Sequence, residues 1–175
     1  MSEQGALAQL ELAYQVEQFY NREARFMNRR EHRQWLETMV HPDIHYWLPI
    51  NENRFAKDRR PEVTPEDGGI YDDNYGDLEF RISRLETGQV WMEDPPSRIR
   101  HLISNVEVYH TDDDNQLNVY SNFHVYRNRR QRDETNLIGG REDVLVRDGD
   151  GFKILKRRIN LDMRVVLDKN LYFFM

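Results

Sequence analysis

The sequence of 175 residues contains no cysteine. That absence removes disulfides, thiolate nucleophiles, zinc-thiolate sites and cysteine-ligated iron–sulfur clusters together. It is compatible with a reducing cytoplasm. No apolar run reaches the roughly 18 residues of a membrane span. The opening Met1-Ser2-Glu3-Gln4 has neither the basic nor the apolar region of a secretory leader, so a cytoplasmic location is expected. A surplus of positive charge is missing too. The net charge of −6 argues against general nucleic-acid binding, which needs a dominant basic field. The basic clusters at 57–60, 127–132 and 156–158 read as solvated faces or subunit contacts. Also lacking are G-x-G-x-x-G, G-x-x-x-x-G-K-[ST] and G-x-S-x-G, and with them the nucleotide cradles and the nucleophile elbow.

Mean hydropathy is low, at −0.89, yet Phe, Trp and Tyr make up 11% of the residues, too many for a disordered chain. A polar chain rich in aromatics and arginine spreads its burial over interfaces as well as a core, so oligomerisation is expected.

Residues 6–30 read as an amphipathic helix. Leu10, Ala13, Val16, Tyr20, Ala24 and Met27 lie on one face, with Glu11, Gln15, Gln18, Arg22 and Arg25 opposite. A short helix is predicted over 30–40, ended by Pro42. An extended segment follows at 45–50, then a charged excursion at 51–69. A third helix is predicted over 72–85, with Asp72 or Asp73 at its N-cap and Gly88 past its end. The second half alternates instead. Strands are predicted at 100–110, with Leu102, Val106 and Val108 on one face, at 117–127, and at 141–147 after Gly139-Gly140. Asp148-Gly149-Asp150-Gly151 makes a hairpin into a last strand at 152–162. In that strand Phe152 and Ile154 are out of phase with Ile159 and Leu161, which predicts a β-bulge at 155–158. Helices followed by antiparallel strands give an α+β domain spanning 1–175, its sheet curved round the helices.

Two sets of residues are candidates for chemistry. His41, Asp43 and His45 share a parity and could form a facial metal site, against capping and turn roles at a helix end. His101, His110 and His124 on strands could do acid–base work beside Asp43 or Asp162, against ordinary structural histidines. At the other end of the chain, Leu171-Tyr172-Phe173-Phe174 is a run of apolar residues. Burial is worth roughly 1.5–3 kcal/mol for each such side chain, so the run packs on its own core or on a partner.

Three stretches resemble the small subunits of bacterial aromatic-ring-hydroxylating dioxygenases. The most specific is Trp91-Met92-Glu93-Asp94-Pro95-Pro96-Ser97-Arg98-Ile99-Arg100-His101-Leu102-Ile103-Ser104-Asn105-Val106. The others are Val125-Tyr126-Arg127-Asn128-Arg129 with Gly140-Arg141-Glu142-Asp143, and Gly151-Phe152-Lys153-Ile154 through Asn170-Leu171-Tyr172-Phe173-Phe174. The likeness is strongest to subunits acting on biphenyl, naphthalene and polycyclic aromatics. It implies the α+β cone of cystatin-like and nuclear-transport-factor-like proteins. It also implies a hexamer of three large and three small subunits. A Rieske [2Fe-2S] cluster and a mononuclear iron would sit on the large one, and NADH-derived electrons would drive cis-dihydroxylation by O2. The small subunit itself would carry no catalytic, cofactor or metal site. Its expected subunit contacts are Trp91, Arg98, Arg100, Arg127, Arg129, Tyr172, Phe173 and Phe174, with intradomain pairing as the alternative for Arg98 and Arg100. The rival reading is a stand-alone cone-fold dehydratase or isomerase using a His–Asp pair.

Overall fold

A computed structural model describes the backbone of residues 3–8 and all of residues 9–50, 55, 57–88, 95–129, 133–163 and 174–175. Helix α1 spans Glu3–Arg29 and buries Val16, Phe19, Tyr20, Glu23 and Met27 as one stripe. Leu10 and Ala13 were expected on that stripe but are exposed, and Leu12 packs against the core in their place. The helix ends with Arg30 at φ 61°. Glu31 N donates to Phe26 O and Arg30 N to Met27 O, the paired bonds that close a helix through one left-handed residue.

Helix α2, His32–Met39, buries Trp35, Leu36 and Met39. The chain runs straight on into β1, Val40–Leu48, with Pro42 past the helix as expected. Strand β2 is Tyr71–Asp73 and helix α3 is Tyr75–Glu86. The cap of α3 is Asn74, not Asp72 or Asp73. Its Oδ1 accepts from Asp77 N while Asp77 Oδ2 accepts from Asn74 N. Asp72 and Asp73 are drawn into strand pairing with Trp47 and Tyr46, which moves the cap downstream.

Four long strands follow: β3 Arg98–His110, β4 Gln116–Arg129, β5 Asp133–Asp148 and β6 Gly151–Leu161. The sheet order is β2-β1-β6-β5-β4-β3. All pairs are antiparallel except β1 with β6. The sheet curls round α1, and the core lies between them. The predicted bulge is found: the β5–β6 register slips between Val144 and Leu145, opposite Leu155. This keeps Phe152, Ile154, Ile159 and Leu161 all inward.

A second bulge was not foreseen. The β3–β4 register slips between Ser104 and Glu107, around Asn105 at φ 53°. Leu102 therefore faces out, 55% exposed, while Val106 and Val108 pack inward. Strand β5 also runs through Gly139-Gly140 instead of starting after them. The reason at Gly139 is contact: a Cβ there would lie 2.1 Å from the backbone oxygen of Asn160 on β6. Gly139→Ala should cost about 3 kcal/mol, at the upper end of overpacking, and lower the melting temperature by roughly 6–12 °C. An unchanged melting curve would show that the strands are further apart.

Candidate functional site in the interior of the cone

The inner face of the sheet carries charge at its centre. Arg141 and Asp143 on β5 and Arg157 on β6 sit at inward positions of their strands, and Glu23 meets them from α1. All four are buried, Arg157 with 2% of its surface exposed. Arg157 is bidentate to both acids. Its Nε and Nη2 donate to Asp143 at 2.9 and 2.7 Å, and its Nη1 and Nη2 to Glu23 at 2.7 and 3.1 Å. Arg141 Nη1 donates to Glu23 at 3.0 Å and its Nε to Ser121 Oγ at 3.3 Å. Tyr20 donates to Asp143 at 2.8 Å and Trp35 Nε1 to Glu23 at 3.0 Å.

Two cations face two anions, so the cluster is neutral as a unit. Burial alone would raise the Glu23 pKa, but Arg157 and Arg141 outweigh it and hold the carboxyl at about 2. For Arg157, burial alone would lower the pKa, and Asp143 and Glu23 raise it well above its ordinary value. Burial raises Tyr20, with Asp143 adding to it, so the phenol stays protonated and donates. Such a cluster tolerates no loss of one member, because the remainder is an uncompensated buried charge.

Around this cluster the interior is finished by Phe174 and Met175. The Phe174 ring lies 5.2 Å from Trp35, 5.4 Å from His32 and 6.5 Å from Tyr46, centre to centre, with the Arg81 guanidinium 4.7 Å from its centroid. Tyr46 Oη donates to Met175 O and accepts from Met175 N, both at 2.9 Å. Arg157 Nη1 donates to the same oxygen at 3.3 Å.

His101 Nε2 lies 2.9 Å from Phe174 O. Its Nδ1 lies 3.0 Å from Asn28 Oδ1, which already accepts from His101 N at 2.8 Å. Both ring nitrogens thus face acceptors, an arrangement that favours a second proton. Burial overrides this and holds His101 at about 4, with Arg141 and Arg157 adding to it. The ring is neutral at pH 7, so one of its two nitrogens faces an acceptor without a proton. Burial, then Arg30 and His101, likewise hold His32 at about 4.

The family model for the ring hydroxylating beta subunit matches residues 22–168. The chain belongs to that family. A curated relative, the 3-phenylpropionate/cinnamic acid dioxygenase subunit beta of Photorhabdus laumondii, is 39% identical over 163 residues, covering 92% of this chain and 90% of its own. Among solved structures, a naphthalene 1,2-dioxygenase with indole bound superposes with a TM-score of 0.81 at 26% identity, over 97% of this chain and 86% of that one. The beta subunit of the benzoate 1,2-dioxygenase of Burkholderia mallei gives a TM-score of 0.70 at 22% identity, over 91% and 95%. The fold is the α+β cone that the resemblance implied.

The beta subunit brings few of the expected site residues together. His41 Nδ1 accepts from Asp43 N at 3.1 Å, while His45 turns to Asp72 at 2.7 Å. The three make a turn and a strand contact instead of a ligand set. His124 pairs with Asn136 at 2.8 Å, and His110 is exposed. Neither Asp43 nor Asp162 meets His101. A Rieske centre takes two cysteines and two histidines, and this chain's donors do not fit one. Among the described residues, no three His, Asp or Glu side chains are grouped to hold a metal.

Of the expected subunit contacts, Arg98 and Arg100 point outward from β3 and are exposed. Arg127 and Arg129 are inward and buried, because they share the parity of Val125 on β4; Arg127 Nε donates to Ser97 Oγ at 3.1 Å. Phe174 fills its own core, one of the two outcomes expected for the tail. Trp91, Tyr172 and Phe173 lie outside the described residues. No helix among the described residues is long and apolar enough to cross a membrane.

The Glu23–Arg141–Asp143–Arg157 cluster was missed. Its signal was present: Glu23 interrupts the apolar stripe Val16-Phe19-Tyr20-Met27, and Arg141 and Asp143 hold the inward phase of a strand between Leu137 and Leu145.

Proposed function

We propose that this beta subunit is the non-catalytic, assembly-supporting partner of a large subunit that holds the Rieske cluster and a mononuclear iron. The assembly would be an α3β3 hexamer in the cytoplasm, cis-dihydroxylating aromatic rings with O2 and NADH-derived electrons. The carrying observation is the state of the cone's polar interior. Both carboxylates are neutralised by guanidinium groups, and the buried histidine faces an amide and a backbone carbonyl. Among the described residues no buried histidine is paired with a carboxylate, and the His45–Asp72 pair is half-exposed at the β1–β2 edge, which speaks against a dehydratase or isomerase in the interior.

The contact surface is the outer face of β3. Arg98 and Arg100 form no ion pair within the chain among the described residues, and Leu102 stands exposed beside them. Buried interfaces enrich arginine and apolar side chains of this kind. Co-expression with the large subunit should give a monodisperse hexamer by light scattering. The small subunit alone should bind no iron and turn over no substrate. An Arg98→Glu/Arg100→Glu double substitution should weaken association at least tenfold with an unchanged melting temperature. A small subunit that ignores the large one, or that turns over substrate alone, would sink this reading.

A further inference from the structure

On the outer face of the sheet, away from the buried cluster, four strands and Pro65 bound a cleft of about 310 Å³, the size of a small ligand site. Trp47, Arg158, Glu142 and Tyr120 lie side by side across β1, β6, β5 and β4. His45, Lys156 and Val144 form the row beside them. The basic run 156–158 divides here: Arg157 turns into the core, and Lys156 and Arg158 turn out to the cleft. The Arg158 guanidinium lies 5.2 Å from the centre of the Trp47 ring, and its Nε is buried without a hydrogen-bond partner. Buried unpaired groups of this kind are rare in native proteins and call for an explanation. Among the described residues, neither Arg158 nor Lys156 forms an ion pair. The acids nearby are already engaged. Glu142 accepts from Asn160 Nδ2 at 2.9 Å, Asp72 faces His45 Nε2 at 2.7 Å, and Asp143 is held by Arg157 in the interior.

We propose that this cleft binds a small organic monoanion, a carboxylate on a flat apolar body. The charge follows from the lining. Asp143 and Arg157 cancel inside the core, while Lys156 and Arg158 against Glu142 leave one positive charge unmatched. The carboxylate follows from Arg158, whose planar fork matches two carboxylate oxygens at once. Its stem is already fixed over Trp47, so little freedom is lost on binding. One charge is the limit, because Glu142 on the lining and Asp72 behind His45 repel a second. The flat body follows from the remaining wall. Tyr120 leaves 45% of its surface exposed, and with Val144 and Pro65 it offers apolar surface to a ring.

Benzoate, benzamide and phenyl phosphate share one ring and carry one, no and two negative charges near neutral pH, so they serve as probes. Binding to the full chain is read by isothermal calorimetry and by the thermal midpoint. Benzoate should bind at least tenfold tighter than either of the others and raise the midpoint. Lys156→Met and Arg158→Met, each checked for folding by circular dichroism, should weaken benzoate at least fivefold. Lys156 is exposed, so its variant carries the test if Arg158→Met does not fold. A wild-type chain that binds no benzoate overturns the site. Benzamide binding as tightly as benzoate overturns its anionic character, and tighter binding of phenyl phosphate overturns the single charge. Benzoate binding left unchanged by Lys156→Met, or by a folded Arg158→Met, puts the ligand elsewhere and overturns the proposal too.

Discussion

Replacing Glu23 with alanine should destabilise the fold by about 3–5 kcal/mol, because two buried guanidinium groups would then face one carboxylate. For a chain of this length that corresponds to a fall of roughly 10 °C in melting temperature. The cause is charge more than volume, and this can be separated by measurement. Glu23→Gln keeps the shape and the acceptor for Trp35 Nε1 but not the charge, and should recover little. Glu23→Leu combined with Arg141→Met removes one anion and one cation, leaving Arg157 with Asp143. That double variant should be more stable than Glu23→Leu alone by about 2 kcal/mol, a coupling typical of residues in one buried network. Additive losses in the double-mutant cycle would show that the cluster is a set of independent contacts.

Acid should unfold this protein in two stages. His32 and His101 are held at about 4 in the fold, while in the unfolded chain they titrate near 6.5. Between those values the unfolded state binds more protons, so stability rises with pH and is lost as pH falls from 6.5 towards 4. Each histidine contributes about 3 kcal/mol to that loss. Glu23, at about 2 in the fold, acts in the next window. Its contribution is complete above its unfolded value near 4.5 and disappears as pH falls towards 2, again by about 3 kcal/mol. Urea midpoints at pH 7.5, 5.5 and 4.0 should fall steadily, and His101→Asn should flatten the upper stage. A midpoint unchanged from pH 7 to 4.5 would mean that the two rings are solvated.

The fold was largely legible because it rests on periodicity. The inward phase of β4, Leu117, Val119, Phe123 and Val125, can be read directly, and so can the Asp148–Gly151 hairpin. What escaped depends on contacts between distant segments. The outward turn of Leu102 follows from a slipped register at Asn105, and nothing in the composition of β3 announces it. The passage of β5 through Gly139 follows from the nearness of β6. The buried cluster escaped for a different reason: Glu23, Arg141, Asp143 and Arg157 come from three segments, and each alone looks like a surface charge. Likewise, the sequence left open whether Phe174 packs at home or on a partner, and only its seat between Trp35, His32 and Tyr46 decides it.

The parallel pairing of β1 with β6 sets an order of events. Val40 lies against Ile154 and Trp47 against Arg158, more than a hundred residues apart along the chain. The β3–β4–β5–β6 meander can zip up from local turns, but β1 has no partner on its inner side until the last strand exists. Contacts so distant in sequence are slow to close. On the ribosome, β1 waits with Tyr46 and Leu48 uncovered until β6 has been made, a period in which a growing chain is exposed to aggregation.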